Sequence, residues 1–203
     1  MNQRIATKEQ HWVYQSIANW ANFSMDRTAI KVVAEKDFNV FHYLRGDLLT
    51  DNIHAYFGYY NERLYLHFIP SSVDVSTSFQ DPSIIPTALY SSIGIKENAS
   101  KGPIEKSDAE IRISKWEDQE VRNKVIDNAS FVQVFWIPND DFKGNSPLKI
   151  NLAIHNDQVD LVLTSMGKSS SYLDTCKPIP PFDSTLTQQK FGLLQQLKIW
   201  KIK

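Results

Sequence analysis

The chain has 203 residues, enough to bury a sizeable core; 42% are hydrophobic and 22% charged, the balance of an ordinary globular protein. With 22 basic residues against 23 acidic ones the formal charge is −1, which argues against a nucleic-acid binder, whose affinity is driven by phosphate neutralisation. Cys176 is the only cysteine, so an intrachain disulfide and a cysteine-rich zinc site are both excluded. A reducing, cytoplasmic setting is expected from that, and the opening M-N-Q-R-I-A-T-K-E-Q lacks the apolar stretch of a secretory signal. No segment approaches the ~20 apolar residues of a membrane span.

In chain order, Thr7 and Gln10 have capping-box spacing, and Val13, Ile17 and Trp20 recur behind them at i, i+4, i+7, which predicts a helix over 8–22. Ile30, Val33 and Ala34 predict a second helix over 26–36. Residues 38–43 read as a strand, followed by a turn or short helix over 44–51. Residues 53–69 read as a hairpin. With its turn on Tyr60-Asn61, Ile53 would pair with Phe68, Ala55 with Leu66 and Phe57 with Leu64. All six are apolar and share one face, because side chains alternate along a strand. The opposite face then carries His54, Tyr56, Tyr65 and His67.

Residues 71–106 are rich in Ser, Pro and Gly and read as a long connection, and Ile84, Ile85, Leu89 and Tyr90 suggest that at least its middle packs against something. Ser107 and Glu110 repeat the capping-box spacing and open a helix through Trp116 towards Ile126. Residues 131–137 read as a strand. Leu148, Ile150, Leu152 and Ile154 then alternate towards a turn at Asn156-Asp157, with Val159, Leu161 and Leu163 beyond it, a second hairpin. Pro178, Pro180 and Pro181 favour an extended path. Ser184 would cap a last helix carrying Leu193, Leu197 and Trp200 and ending in Lys198, Lys201 and Lys203, cations suited to a helix C-terminus.

The order helix, strand, hairpin thus occurs twice. Trp20 aligns with Trp116 and Ile53 with Ile150, with one inserted residue between the two matches. The expected fold is α+β: two related helix–β units with small antiparallel sheets packed pseudo-symmetrically, plus a C-terminal helix. The first unit is 1–70, the connection 71–106, the second unit 107–166, and the Pro-rich tail with the last helix 167–203, all within one globule. The Trp-bearing helix, the strand exit Phe135-Trp136-Ile137-Pro138-Asn139-Asp140-Asp141, the Tyr56-Phe57-Gly58 strand and the Pro-rich ending resemble a family of uncharacterised bacterial proteins of about 200 residues. That resemblance implies a cytoplasmic protein and carries over no activity and no functional residue.

The two histidines and two tyrosines of the first hairpin are the sharpest chemical candidates. Opposed residues of an antiparallel pair are close enough to meet, so His54 and His67 could share a proton or a ligand. A zinc site needs three or four protein ligands, and only His42 offers itself as a third. The plainer reading is a solvated or partner-covered strand face. Tyr59 and Tyr60 at the hairpin tip, where Gly, Asn or Asp is usual, suggest a contact surface.

Other motifs read plainly. Gly167-Lys168-Ser169 lacks the earlier glycine of a phosphate loop, because that position is Val162. Arg45-Gly46-Asp47 reads as a turn, and the sequons at Asn98 and Asn128 matter only in a glycosylating compartment. Asn139, Asp140 and Asp141 suit helix capping better than a calcium loop. The expected function is a non-catalytic interaction or binding module, a subunit of a larger assembly, with a protein partner or self-association. His54, Tyr56, Tyr59, Tyr60, Tyr65 and His67 are its candidate binding residues. No catalytic residue, metal, cofactor, nucleic acid or membrane span is expected. The alternative is an enzyme or small-ligand-binding protein with a pocket between the halves that uses His54, His67 and nearby tyrosines.

Overall fold

The computed structural model describes residues 8–35, 39–44, 51–75, 90–96, 108–128, 132–142, 147–166, 172–173, 176–179 and 191–195. Its elements in chain order are α1 (Lys8–Phe23), α2 (Arg27–Glu35), β1 (Val40–Tyr43), β2 (Ile53–Tyr60), β3 (Arg63–Pro70), β4 (Tyr90–Ile93), α3 (Asp108–Glu117), α4 (Gln119–Asn128), β5 (Val134–Ile137), β6 (Leu148–His155), β7 (Gln158–Ser165), β8 (Tyr172–Leu173) and β9 (Lys177–Ile179). The fold is α+β, with antiparallel pairing throughout the described strands. Among the described residues, no helix is long and apolar enough to cross a membrane.

Both predicted hairpins form, and each turns on two residues with positive φ: Asn61 and Glu62 at 48° and 60°, Asn156 and Asp157 at 50° and 56°. Two successive left-handed residues make the tight turn whose twist suits a hairpin. The second hairpin has the predicted register, Ile150 opposite Leu163, Leu152 opposite Leu161 and Ile154 opposite Val159. In the first, the turn lies one residue later than predicted. Ala55 therefore faces Phe68, Phe57 faces Leu66 and Tyr59 faces Leu64. Each partner moves by two positions, so the predicted faces survive. Ile53, Ala55, Phe57, Leu64, Leu66 and Phe68 are all buried in the main core.

The pairing of the remaining strands crosses between the halves. β1 precedes the first hairpin in the chain but pairs with β6 of the second; β5 precedes the second hairpin but pairs with β2 of the first. The orders are β1-β6-β7-β8 in one sheet and β4-β3-β2-β5-β9 in the other. Ile53 faces Ile137 as Leu148 faces Tyr43, and Tyr56 faces Val134 as Asn151 faces Val40. By position in the ladders Ile53 therefore matches Leu148, not Ile150 as the sequence alignment has it. Beyond β4, Ile95 bridges to Val40 of β1, and β9, directly after β8, pairs with β5. At these two places the chain passes from one sheet to the other, as at the corners of a β-sandwich.

One core unites the two halves. The apolar faces of both hairpins join it with Trp20 from α1, Ile30, Val33 and Ala34 from α2, Trp116 from α3, and Val125 and Ile126 from α4. Trp20 anchors its helix across the halves by donating its indole N–H to the Val132 carbonyl at 3.2 Å. α2 starts at Asp26, whose carboxylate accepts the Ala29 N–H at 3.0 Å. The helix predicted to run from 107 towards 126 is two helices. Asp118 interrupts it, and its carboxylate caps α4 through the N–H groups of Glu120 and Val121. β4 lies inside the stretch read as a connection and pairs with β3. Thr7, Arg45 to Asp47, Ile84, Ile85, Leu89, Asn98, Ser107, Gly167 to Ser169, Ser184, Leu197 and Trp200 lie outside the described residues. Of the predicted last helix, one helical turn is described, at 192–195.

Candidate functional site

The outer face of the β2–β3 hairpin is not solvated. α1 lies across it, burying Val13, Tyr14 and Ile17 against Tyr56, Ile69 and Val134. Each such aliphatic side chain contributes about 1.5–3 kcal/mol. Under this cover the polar residues of the face sit in two separate hydrogen-bonded groups.

The first group centres on Asp74. After β3 the chain folds back, with the N–H groups of Val73 and Asp74 both donating to the Pro70 carbonyl. Asp51 fixes this turn by accepting from the Ser71 hydroxyl at 2.8 Å and the Ser72 N–H at 2.5 Å. Partial burial raises the Asp51 pKa, but these bonds outweigh it and leave the carboxyl below its usual range. The turn delivers Asp74, itself fully buried, beneath the sheet. One of its oxygens accepts from the Tyr56 hydroxyl and lies 2.6 Å from His54 Nδ1; the other accepts the Leu193 N–H at 2.9 Å. Burial, with the Asp74 charge beside it, pushes the Tyr56 hydroxyl well above the ordinary tyrosine pKa. Phe191 packs on the His54 ring at a centroid distance of 4.4 Å.

The second group centres on His67, which is 0% exposed. Its Nε2 lies 2.7 Å from Ser16 Oγ, and its Nδ1 lies 2.7 Å from Ser91 Oγ. The Ser16 hydroxyl also donates to the Val13 carbonyl at 2.7 Å. A hydroxyl has one proton, so with that donation made, Nε2 must carry the ring hydrogen and donate to Ser16. Ser91 then donates to Nδ1. Burial lowers the His67 pKa to about 3, so the ring is neutral at physiological pH. A serine that receives a hydrogen bond from histidine is the reverse of an activated nucleophile, which gives its proton to the ring. Gly58 makes this geometry possible. A Cβ there would stand 2.5 Å from His67 Nε2 and 2.6 Å from Ser16 Oγ.

Of the six residues singled out in the sequence, His54, Tyr56 and His67 are buried, while Tyr59, Tyr60 and Tyr65 are half-buried. The expectation that His54 and His67 oppose one another is corrected by the one-residue displacement of the turn: His54 faces Ile69, and His67 faces Tyr56. His42 stands on β1 in the other sheet, opposite Lys149. Among the described residues, no group of three or more His, Cys, Asp or Glu side chains could hold a metal ion. The two tyrosines are not at the tip, which is Asn61-Glu62. Tyr59 stacks on Phe23 at 4.4 Å towards the core, and Tyr60 leans on Trp12 at 6.0 Å. Trp12 also meets Tyr65 edge-on at 5.1 Å and His67 at 5.3 Å. Trp12, Tyr60 and Tyr65 thus form one half-exposed aromatic group on the outer side of the hairpin.

Sequence reasoning missed Ser16, Asp74, Ser91 and Phe191. Ser16 carried one signal, a small polar residue on the apolar stripe of α1. In the second hairpin Lys149, Asn151, Asp160 and Val162 stand where the first has His54, Tyr56, Tyr65 and His67. There α3 covers Ala153 and Val162 with Ala109 and Ile113, and Asn151 donates to the Val162 carbonyl. The polar cluster therefore belongs to one half only. Together these features define an α+β protein with strands exchanged between its halves and a histidine–tyrosine cluster closed upon itself. No family model, curated protein or solved structure matches the chain.

Proposed function

We propose that the chain is a non-catalytic protein-interaction module, working in the cytoplasm, whose contact surface is the half-exposed group of Trp12, Tyr60 and Tyr65. The observation that carries the reading is the closure of the other candidates. His54, Tyr56 and His67 are at most 4% exposed, and their partners Asp74, Ser16, Ser91 and Phe191 come from the chain itself. A catalytic or small-ligand role would need one of these rings to meet a molecule from outside while these partners stay in place. The three outer aromatics, in contrast, offer rigid amphipathic area at low entropic cost, the property that enriches Trp and Tyr in binding hot spots. Similar helix–hairpin packing in both halves supplies the scaffold, and the internal repeat accounts for what they share.

The test is affinity purification from the native host with the unmodified chain and a Tyr60→Ser, Tyr65→Ser variant side by side. A hot-spot residue is worth about 2 kcal/mol or more, roughly 30-fold in affinity. A stoichiometric partner retained by the first and lost by the second, with both folded by circular dichroism, supports the reading. Equal recovery with both sinks it.

A further inference from the structure

We propose that α1 and the outer faces of β2, β3 and β5 form a peptide-binding groove, filled in the resting protein by its own residues 191–195. The groove takes a short Phe-Gly-Leu-Leu segment and uses Asp74 to read its backbone.

Phe191, Leu193 and Leu194 are buried among Val13, Tyr14, Ile17, Tyr56, Ile69 and Val134, a cluster separate from the main core. All six of these wall residues come from helix or strand positions far from 191–195 in the chain. The main-chain contacts converge on one residue: the Gly192 N–H donates to the Asp74 carbonyl at 3.1 Å, and the Leu193 N–H to its carboxylate at 2.9 Å. An acceptor pair for consecutive N–H groups beside apolar pockets for neighbouring side chains combines main-chain affinity with side-chain specificity, as peptide-recognition surfaces do. Within the segment the Gln195 N–H donates to the Phe191 carbonyl at 3.2 Å.

His54 and Tyr56 acquire a role here. Both hydrogen-bond the Asp74 oxygen that does not meet the segment, which holds the carboxylate with its other oxygen towards the Leu193 N–H. Phe191 packs against the His54 ring at a tilt of 44°, so the same histidine orients the acceptor and walls the first pocket. Lys149 and Asn151, at the matching places in the second hairpin, cannot reproduce this, and α3 with Tyr172 covers that face. The groove is a second surface, distinct from the outer aromatic group, and does not depend on it.

The test keeps the full chain during folding. A protease site is inserted between residues 180 and 190, the folded protein is cleaved, the C-terminal fragment is washed off in mild denaturant, and a fluorescent synthetic peptide of residues 187–199 is added. Saturable anisotropy, reversed by unlabelled peptide and absent for a peptide carrying Leu193→Asp, is the expected result. An Asp74→Asn protein should bind the peptide about tenfold more weakly, as loss of a hydrogen bond to a charged group requires. Peptide changes cannot unfold the protein, so they separate recognition from stability. If the cleaved protein stays folded and no anisotropy develops, or if the Leu193→Asp peptide binds equally well, the proposal is overturned. Unfolding on cleavage overturns it too, because the segment would then be core rather than ligand.

Discussion

Replacing Gly58 with alanine puts one methyl group into the Ser16–His67 contact. Its carbon would lie 2.5 Å from Nε2 and 2.6 Å from Oγ, where real carbons keep at least 3.0 Å. Neither neighbour can swing aside cheaply. Ser16 has one rotatable heavy atom and sits on a helix packed on the sheet, and His67 is held at both ring nitrogens. Either α1 lifts from β2 or the ring breaks its hydrogen bond. Overpacking costs about 1–3 kcal/mol and a buried unsatisfied donor about 1–3 kcal/mol more, so roughly 2–6 kcal/mol is expected. Urea unfolding followed by tryptophan fluorescence measures it, since Trp20 and Trp116 are both buried. Ala153 occupies the matching place in the second hairpin, and its change to glycine should cost only about 0.5–1 kcal/mol. In a Ser16→Ala background one of the two collisions is gone, so the double variant should lose less than the sum of the singles. A Gly58→Ala protein within about 0.5 kcal/mol of the parent would refute the packing described for α1 on the hairpin.

Three further outcomes follow from the same geometry. Because the His67 pKa is lowered from 6.5 to about 3, the unfolded chain binds the extra proton and the folded one does not. The stability this ring allows is therefore fully present above pH 6.5 and declines as pH falls towards 3. The loss is about 1.4 kcal/mol for each pH unit, roughly 3 kcal/mol by pH 4. A His67→Gln chain should lack that part of the slope, and superimposable pH profiles would count against a buried neutral ring. Glu62 and Asp157 hold φ of 60° and 56°, where a side chain costs about 1 kcal/mol. Glu62→Gly and Asp157→Gly should each raise stability by roughly 0.5 kcal/mol, readable as a higher urea midpoint. Tyr56→Phe removes a donor from Asp74 while keeping the ring; a loss of about 1–3 kcal/mol is expected, and no loss would mean that Asp74 is satisfied without it.

Much of the fold was legible because its signals are local. Alternation identified the faces of both hairpins, and since the displaced turn moved each partner by two, the parity of the pattern protected the assignment. Asn156-Asp157 announces its own turn; Asn61-Glu62 does not, because Glu is an unusual left-handed residue. β4 was read as connection because Tyr-Ser-Ser-Ile has no clear alternation, and its strand character comes from pairing with β3. The exchange of β1 and β5 between sheets could not be read at all, since a strand's partner is set by long-range packing and not by its own period. The same limit applies to the candidate site. Its six named residues lie on one hairpin, but what closes them arrives from α1, from the turn after β3, from β4 and from residue 191, at separations that no motif spans.

The claim that the histidine–tyrosine cluster is a closed structural clamp is tested most directly on the ring nitrogens of His67. Two-bond ¹H–¹⁵N correlation spectra of the full chain, recorded between pH 8 and pH 4, report the protonation of each nitrogen. The expected spectrum has a protonated Nε2 and a lone-pair Nδ1, with shifts unchanged over that whole range. A ring that becomes a cation near pH 6.5, or one protonated on Nδ1 so that Nε2 can draw the proton of Ser16, would contradict it and return this site to chemistry.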